Sequence, residues 1–418
     1  MMKRTRGLAW GLLLAGMVAV PSPAAPPERT SAGHRGSCLP GAAWSPVTRS
    51  AEWEGRAGLQ AIDLGKDLFV MGGRGAFNPF QTTIYRDVWK SGDHGGSWEK
   101  VSDPAEWPAR AYFQAVRHRG RIVVLGGQNF DTVPNPGFPA NCPPPSSGIP
   151  CFPFIPASKF FNDVWQSDDG ANWTPLTETA GWEGRAGLSA VVFKGEIFVF
   201  GGSQGDDAAT GGQGRRLFND VWKSRDGAHW AKVTPAPGPR WAPRAGAAAV
   251  VKDGFIYLLG GERGFTCGPV PAPICEPERD LYFNDVWRTR DGARWEQVTP
   301  AAGWSPRPGH QCVVALDHIV CFGGYGEPTN PNDIWASRDG RRWLELEKPA
   351  SPPWRAVNPD DAKYDFDALV VRDGPFGLFP SILTFGGDRE RFELLPEENA
   401  TRVDNDVWRL GLPFRPRH

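Results

Sequence analysis

Arg185-Ala-Gly-Leu-Ser-Ala-Val-Val-Phe-Lys-Gly195-Glu-Ile-Phe-Val-Phe-Gly201-Gly202, followed after a loop by Asn219-Asp-Val-Trp222 and then by Trp230, is the stretch that decides the fold. Short apolar or alternating runs bounded by Gly, Asp and Pro read as strands, not helices. The stretch holds an inner strand after Arg185, a tight turn at Phe193-Lys194-Gly195 and a second strand running into the double glycine. A third strand follows at Asn219–Trp222, and past the Ser224-Arg-Asp-Gly227 turn a fourth begins at Trp230. The unit recurs. Glycine pairs stand at Gly72-Gly73, Gly126-Gly127, Gly201-Gly202, Gly260-Gly261, Gly323-Gly324 and Gly386-Gly387. The chain returns at Asp87–Trp89, Asn162–Trp165, Asn219–Trp222, Asn284–Trp287, Asn332–Trp335 and Asn405–Trp408. Four short strands repeated six times, at about fifty residues per unit, predict an all-β chain folded as a six-bladed β-propeller.

The ends of the repeat predict how the ring closes. Trp295 is followed nine residues later by Trp304 and then by Arg307, and Trp44 is followed at the same distance by Trp53 and then by Arg56. Residues 42–48 therefore read as an outermost strand with no inner strands before it. The sixth unit stops at Trp408-Arg-Leu, one strand short. The N-terminal strand is expected to complete the last blade and leave no open edge. The propeller is expected to span residues 42–411, with tails at 25–41 and 412–418. Ala57-Gly58, Ala186-Gly187 and Ala245-Gly246 suit the innermost strand, where six blades converge and side-chain space is least.

Residues 1–24 read as a secretory signal peptide. Lys3, Arg4 and Arg6 precede an apolar run from Leu8 to Val20, and Ser22-Pro23-Ala24 supplies small residues for cleavage. That run is too short to span a bilayer, and no later segment is long enough. Cys38 has no lipobox leucine before it, which disfavours a lipid anchor. A periplasmic or extracellular location follows. Seven cysteines in an exported chain read as three disulfides with Cys38 left over. The expected pairs are Cys142 with Cys151 in one proline-rich loop, Cys267 with Cys275 in another, and Cys312 with Cys321 across a hairpin. The net charge is −1, or −4 without Lys3, Arg4 and Arg6. Such a balance has no basic footprint for nucleic acid.

An Arg near the first strand, an apolar strand into Gly-Gly, then Asn-Asp-Val-Trp and a later Trp resembles the kelch-repeat family, over roughly residues 42–411. A second resemblance overlaps it. Ser91-Gly-Asp93-His-Gly95-Gly-Ser-Trp98 is similar to the Asp-box turn of sialidases and other propellers. Other copies, such as Ser167-Asp-Asp169-Gly170-Ala-Asn-Trp173, are one residue shorter. In such a turn the Asp and Ser side chains cap backbone groups, so it is a structural device and not sialidase chemistry.

Function is expected on one face. The long insertions all join the second strand to the third, at 74–85, 128–160, 203–217, 262–282 and 388–404, and only 325–331 is short. The fourth-to-first connections leave the same face and carry Trp53, Trp107, Trp182, Trp241, Trp304 and Trp354. Arg56, Arg110, Arg185, Arg244 and Arg307 each stand sixteen residues before a first glycine, and in the sixth unit the register points to Tyr364. The kelch resemblance implies that such arginines hold acidic groups, and a guanidinium fork suits carboxylates. The structural alternative is that each Arg pairs inside its blade, with Glu54 and Glu183 as candidate partners. Trp53, Trp182 and Trp304 could stack on sugars, against a role as loop anchors.

His310 lies on an inner strand, but no His pair has metal-ligand spacing, so neither a metal nor a cofactor is expected. The copper site of galactose oxidase cannot be assembled from six tyrosines and these scattered histidines. The Phe/Tyr-Arg-Ile-Pro motif of sialidases is absent, and nothing resembles a Ser-His-Asp elbow. The first reading is a non-enzymatic, monomeric binding module for an acidic protein segment or a glycan. The alternative is a carbohydrate-active enzyme resembling the periplasmic kelch mutarotase of sialic acid. There Glu54 or Glu183 would be the acid–base carboxylate beside the arginines.

Overall fold

In the computed structural model, the residues described are 43–76, 82–129, 132–134, 139–140, 154–156, 158–204, 216–264, 282–326, 330–346, 363–373, 379–389 and 402–412. Among them there is no helix, and none is long and apolar enough to cross a membrane. The strands form six four-stranded antiparallel sheets. Two short hairpins sit inside the insertions, Thr132–Pro134 with Phe154–Pro156 and Ser203–Gln204 with Arg216–Leu217.

Blade three shows the local logic. Ser189–Phe193 pairs with Glu196–Phe200, then comes Val221–Ser224, and Ala231–Lys232 forms the outer edge. Both glycines of the pair turn left-handed, Gly201 at φ 67° and Gly202 at φ 94°. A Cβ on Gly202 would sit 2.9 Å from the Ala186 carbonyl oxygen, so the pair answers both a backbone and a space requirement. The inner strand starts four residues after Arg185; Ala186 forms an isolated bridge to Ser203 instead.

The apolar core is divided into six clusters, each lying between two neighbouring blades. Between blades three and four, for example, Phe198, Phe200 and Val221 meet Ile256, Leu258 and Trp287. A blade is thus apolar on both faces and stable only between its neighbours. The sixth cannot be left incomplete. Ala43–Thr48 pairs antiparallel with Val407–Gly411 and supplies its outermost strand, with Trp44 opposite Leu410. The Trp44 ring also meets Phe322 of blade five edge-on, at 5.8 Å between centroids.

Where the blades converge, the backbone closes a ring of its own. The N–H of Tyr112 donates to Gly58, Gly187 to Tyr112, Gly246 to Gly187, Gly309 to Gly246, Asp365 to Gly309 and Gly58 to Asp365, at 2.8–3.1 Å. All six residues have positive φ, between 51° and 64°. Side chains stitch the inner strands further along: Gln60 accepts from the Ala115 N–H at 2.9 Å, Ser189 donates to Ala247 and Gln311 to Phe366.

Away from this ring, Asp-box turns join third to fourth strands. In blade two Asp169 accepts from the Ala171 and Asn172 N–H groups, and Ser167 from the Gly170 N–H. Burial pushes the Asp169 carboxyl upward, but these hydrogen bonds outweigh it and hold the pKa at about 2. Cys312 and Cys321 face each other in register and are joined by a disulfide, Cα to Cα 4.1 Å. Cys38, Cys142, Cys151, Cys267 and Cys275 lie outside the described residues.

Two outcomes are expected. Deleting residues 25–50 removes the strand that covers Val407–Gly411, so the truncated chain should aggregate or lose its single cooperative melt; an unchanged melting curve would refute the closure. Asp169→Ala should lower the melting temperature at pH 7. Because the folded pKa is depressed below the ordinary Asp value of about 4, that difference should fade as the pH falls from about 4 toward about 2.

Candidate binding site at the axial mouth

The five repeated arginines are held inside the blades. Arg56 donates from Nη1 and Nη2 to both oxygens of Asp87, at 2.6 and 2.9 Å, from Nη1 to the Gly72 carbonyl and from Nε to the Glu54 carbonyl. The second oxygen of Asp87 also accepts from the Trp89 indole at 2.7 Å. The arrangement repeats as Arg110–Asp163–Trp165, Arg185–Asp220–Trp222, Arg244–Asp285–Trp287 and Arg307–Asp333–Trp335. Four of the guanidiniums also lie over an aromatic ring, Arg185 over Phe218 at 3.8 Å. The Asp and Trp of the Asn-Asp-Val-Trp motif are thereby explained. Its Asn, as at Asn162, donates to the carbonyls of Ala180 and Trp182 and ties down the next connection.

These arginines are fully buried and their donors are used. The expectation that they form an open anion-holding ring is corrected: each neutralises the Asp of its own repeat. The register expectation for blade six is corrected as well. Lys363, not Tyr364, takes the arginine's place, reaching the Gly386 carbonyl and Asp406. Tyr364 is the counterpart of Ala57, bridged to Asp388 as Ala57 is to Arg74. The sixteen-residue spacing fails there because the first two strands of blade six are seven residues each and the Lys363–Gly386 separation grows to 23.

Trp53, Trp182 and Trp304 are core residues, packed edge-on against Trp98, Trp230 and Trp343. Their covered faces leave no surface for a sugar, which corrects the stacking expectation. Glu54 and Glu183 stand on the outer connections with side chains 61% and 51% exposed, and Glu183 pairs with Arg216. Glu54 Oε2 lies 3.5 Å from Arg56 Nη2, as expected of a candidate partner, whereas Glu183 meets Arg216 and not Arg185. His310 fills a core position against Trp304, where burial and the Arg307 charge push its pKa down to about 3.

The polar groups that do converge are at the axis. The residues following the glycine pairs, Arg74, Gln128, Ser203, Glu262, Tyr325 and Asp388, pair back to the segments that carry the backbone ring. Four ring positions are glycine, which leaves a low floor. The other two are Tyr112, φ 55°, and Asp365, φ 51°. A Cβ on Gly58 would meet the Tyr112 ring at 2.9 Å, and one on Gly309 would collide with Asp365 Oδ1. The Glu262 side chain stands beside Gly246. Arg74 donates from Nε to the Tyr112 hydroxyl at 2.8 Å and from Nη2 to Asp388. Burial raises the Tyr112 pKa and keeps that phenol protonated. Tyr325 links Tyr282 and Tyr364 edge-on, at 5.9 and 5.4 Å. Tyr112, Asp365, Tyr325 and Tyr282 stay partly exposed, so the cluster can be reached.

Sequence reasoning missed this cluster because it looked for what repeats. The signal was there as departure: two non-glycines at a glycine position, and six different side chains after six glycine pairs. A separate hollow of about 530 Å³ opens on the opposite face between blades one and two, lined by Asp67, Phe69, Lys90, Arg117 and Asp168. Its charges are paired, as in Lys90–Asp67, Arg117–Asp63 and Arg121–Asp168.

The repeat and the sheet topology together define a kelch-type six-bladed β-propeller. Residues 156–324 match the KLHDC2/KLHL20/DRC7 Kelch-repeats domain. Kelch repeat and BTB domain-containing protein 12 of Danio rerio is 30% identical over 222 residues, 51% of this chain and 31% of that protein. The chain thus spans about a third of the length of that curated relative. The solved structure titled "Structure of YjhT" has a TM-score of 0.56 at 14% identity and covers 86% of this chain and 96% of its own, a likeness of fold. Over residues 156–324 the chain is thus similar to kelch-repeat domains, and the likeness of fold extends over most of the chain.

Removing one arginine tests the structural role of the set. Arg185→Ala leaves the half-buried Asp220 with only the Trp222 indole and Lys232, and the Gly201 carbonyl without its side-chain donor, so unfolding in denaturant should show a loss of about 2–3 kcal/mol. Arg185→Lys, which copies blade six, should cost less. Full stability of Arg185→Ala would overturn the assignment.

Proposed function

We propose that this chain is an exported binding module whose ligand is a glycan seated at the axial mouth. One observation carries the reading. The ring position demands a left-handed backbone, four blades meet the demand with glycine, and two retain Tyr112 and Asp365. A side chain in that conformation costs about 1–2 kcal/mol. Strain kept at one mouth, where glycine would serve the fold better, points to a use for the side chains themselves.

The chemistry favours a hydroxyl-rich ligand over an acidic protein segment. The repeated guanidiniums already carry a carboxylate each, so an acidic segment finds no free forks there. The mouth instead offers tyrosines together with carboxylate and amide oxygens, which suit sugar hydroxyls. An acid–base role for Glu54 or Glu183 finds no support in their exposed positions. Export rests on the Lys3–Ala24 pattern, and the Cys312–Cys321 disulfide agrees with an oxidising compartment.

The test uses the full chain and soluble oligosaccharides of glucose, galactose, N-acetylglucosamine and glucosamine. At least one should bind. Asp365→Gly and Tyr112→Gly should melt no lower than Asp365→Ala and Tyr112→Ala, since glycine relieves the strain. Both glycine variants should weaken the bound saccharide about tenfold or more, the loss expected for a buried hydrogen bond to a polar or charged group. Parent-like binding by both, or no saccharide bound by the parent, would reject the reading.

A further inference from the structure

Beneath the backbone ring lies a second layer with a chemistry of its own. The residues two positions beyond the ring members are Gln60, Gln114, Ser189, Ala248, Gln311 and Asp367. Their donors are spent on the backbone. Nε2 of Gln60 donates to the Leu59 carbonyl at 3.0 Å, Nε2 of Gln114 to the Phe113 carbonyl at 3.2 Å and Nε2 of Gln311 to the Phe366 carbonyl at 2.7 Å. The Ser189 hydroxyl donates to the Ala247 carbonyl at 2.8 Å. An amide anchored through its nitrogen has its oxygen turned away from the anchor. Among the described residues, Oε1 of Gln114 and Oε1 of Gln311 accept from no protein donor, and both residues stay partly exposed.

Asp367 brings the layer its one ionisable group, and it is 8% exposed. Its Oδ2 accepts from the Ala61 N–H of blade one at 2.6 Å and its Oδ1 from the Ala368 N–H at 2.7 Å. Among the described residues no Lys, Arg or His meets it. A carboxylate has about four lone-pair positions, so about half of them remain open. Burial pushes the pKa of this carboxyl up to about 7. Buried charges are normally paired or bound to a metal.

These groups stand around one narrow axis. Gln311 bonds the peptide that precedes Asp367, Asp367 bonds the peptide that follows Gln60, and Gln60 accepts from the Ala115 N–H that follows Gln114. Blades five, six, one and two are thereby joined in a continuous arc. The Ala61 and Ala115 N–H groups belong to the edge of the first strand that no second strand covers, the edge turned to the axis. Residues joined by a backbone hydrogen bond lie about 5.5 Å apart. The centre of a hexagon is no further from its corners than the corners are from each other, so oxygens on that edge converge. At the next equivalent positions Ile62, Val116, Val191, Val250, Val313 and Leu369 are all apolar and close the layer from below.

We infer that this layer is a calcium site on the propeller axis, its ion held by Asp367, by the amide oxygens of Gln114 and Gln311 and by water. No three His, Cys, Asp or Glu side chains are grouped for a metal among the described residues, so the ligands are oxygens, mostly of amides. An all-oxygen set disfavours the softer transition metals. Calcium takes roughly six to eight carboxylate, amide and water oxygens in a flexible shell, whereas magnesium demands a near-ideal octahedron. A single carboxylate puts the affinity at the weak end, about 10⁻⁴–10⁻³ M. The site lies under Tyr112 and Asp365 and is independent of the glycan reading.

The experiment frees the full chain of metal with a chelator. It is then titrated with calcium, magnesium, sodium and potassium at constant ionic strength, by calorimetry and by thermal melting. Calcium should bind in the stated range and raise the melting temperature, and magnesium should bind about tenfold more weakly or worse. Asp367→Gln installs the side chain that Gln60, Gln114 and Gln311 place in their blades. It should weaken calcium about tenfold or more, yet melt no lower than the parent in chelator, because a buried charge is gone. Gln114→Glu adds a second carboxylate and should tighten calcium several-fold. A parent that binds no calcium, its carboxyl simply protonated, would overturn the assignment. So would calcium binding that Asp367→Gln leaves intact, or sodium or potassium bound more tightly than calcium.

Discussion

Six backbone hydrogen bonds closed on themselves around the axis are the constraint from which the rest of this propeller follows. Each inner segment presents an N–H to one neighbour and a carbonyl to the other, and the ring of Gly58, Tyr112, Gly187, Gly246, Gly309 and Asp365 satisfies all of them. So tight a circle requires a left-handed backbone at every member. The carbonyls of the arginines two residues earlier are thereby aimed at the second glycine of the preceding blade. Gly127 donates to Arg185 and Gly202 to Arg244, and Gly387 closes the circuit onto Arg56. The glycine pair and the arginine are thus two ends of one inter-blade contact, which is why they travel together through the sequence.

The arginines illustrate how magnitude decides between roles. A guanidinium fork in water at a channel mouth would be a good carboxylate receptor. The same fork with both arms on a buried Asp and a third bond to a carbonyl is already occupied, and freeing it would expose an unpaired buried charge at a cost of about 3–5 kcal/mol. No ordinary ligand contact repays that. Asp87 and its equivalents also hold the Trp indole of the same repeat, so the charge pair fixes the third strand and the Trp that packs beside it. The Asp-box turns use the same logic at lower stakes, on the exposed side, with carboxylates satisfied by backbone N–H groups.

Most of the fold was legible in the sequence because every structural device is used six times. Six glycine pairs, six Trp returns and the Trp44–Trp53–Arg56 echo of Trp295–Trp304–Arg307 were enough for blade number and closure. The spacing argument failed at Tyr364, where a longer first hairpin shifted the count and Lys363 took the charged position. The site was less legible for a physical reason. Spacing reports which residues are equivalent but not whether a side chain is spent. Trp53 and Arg56 looked available as letters, and both are enclosed once the neighbouring blade is present.

In a closed repeat, what recurs is what the scaffold needs, since each copy must meet the same neighbour in the same way. A residue that serves a ligand on the axis has no such obligation, because the ligand breaks the sixfold equivalence and each blade meets a different part of it. Recognition is therefore expected where the copies disagree. The site after the glycine pair meets that condition, with Arg, Gln, Ser, Glu, Tyr and Asp in turn. The ring position meets it more sharply, because there the scaffold has a stated preference and two blades decline it. Tyr112 shields the Arg74–Asp388 pair on one side while Gly187 and Gly246 leave the other side low, next to Ser203 and Glu262. The mouth is lopsided as a result. A lopsided surface on a near-symmetric frame can orient a ligand that has no symmetry of its own, and the identical arginines of the blades, however many, could not.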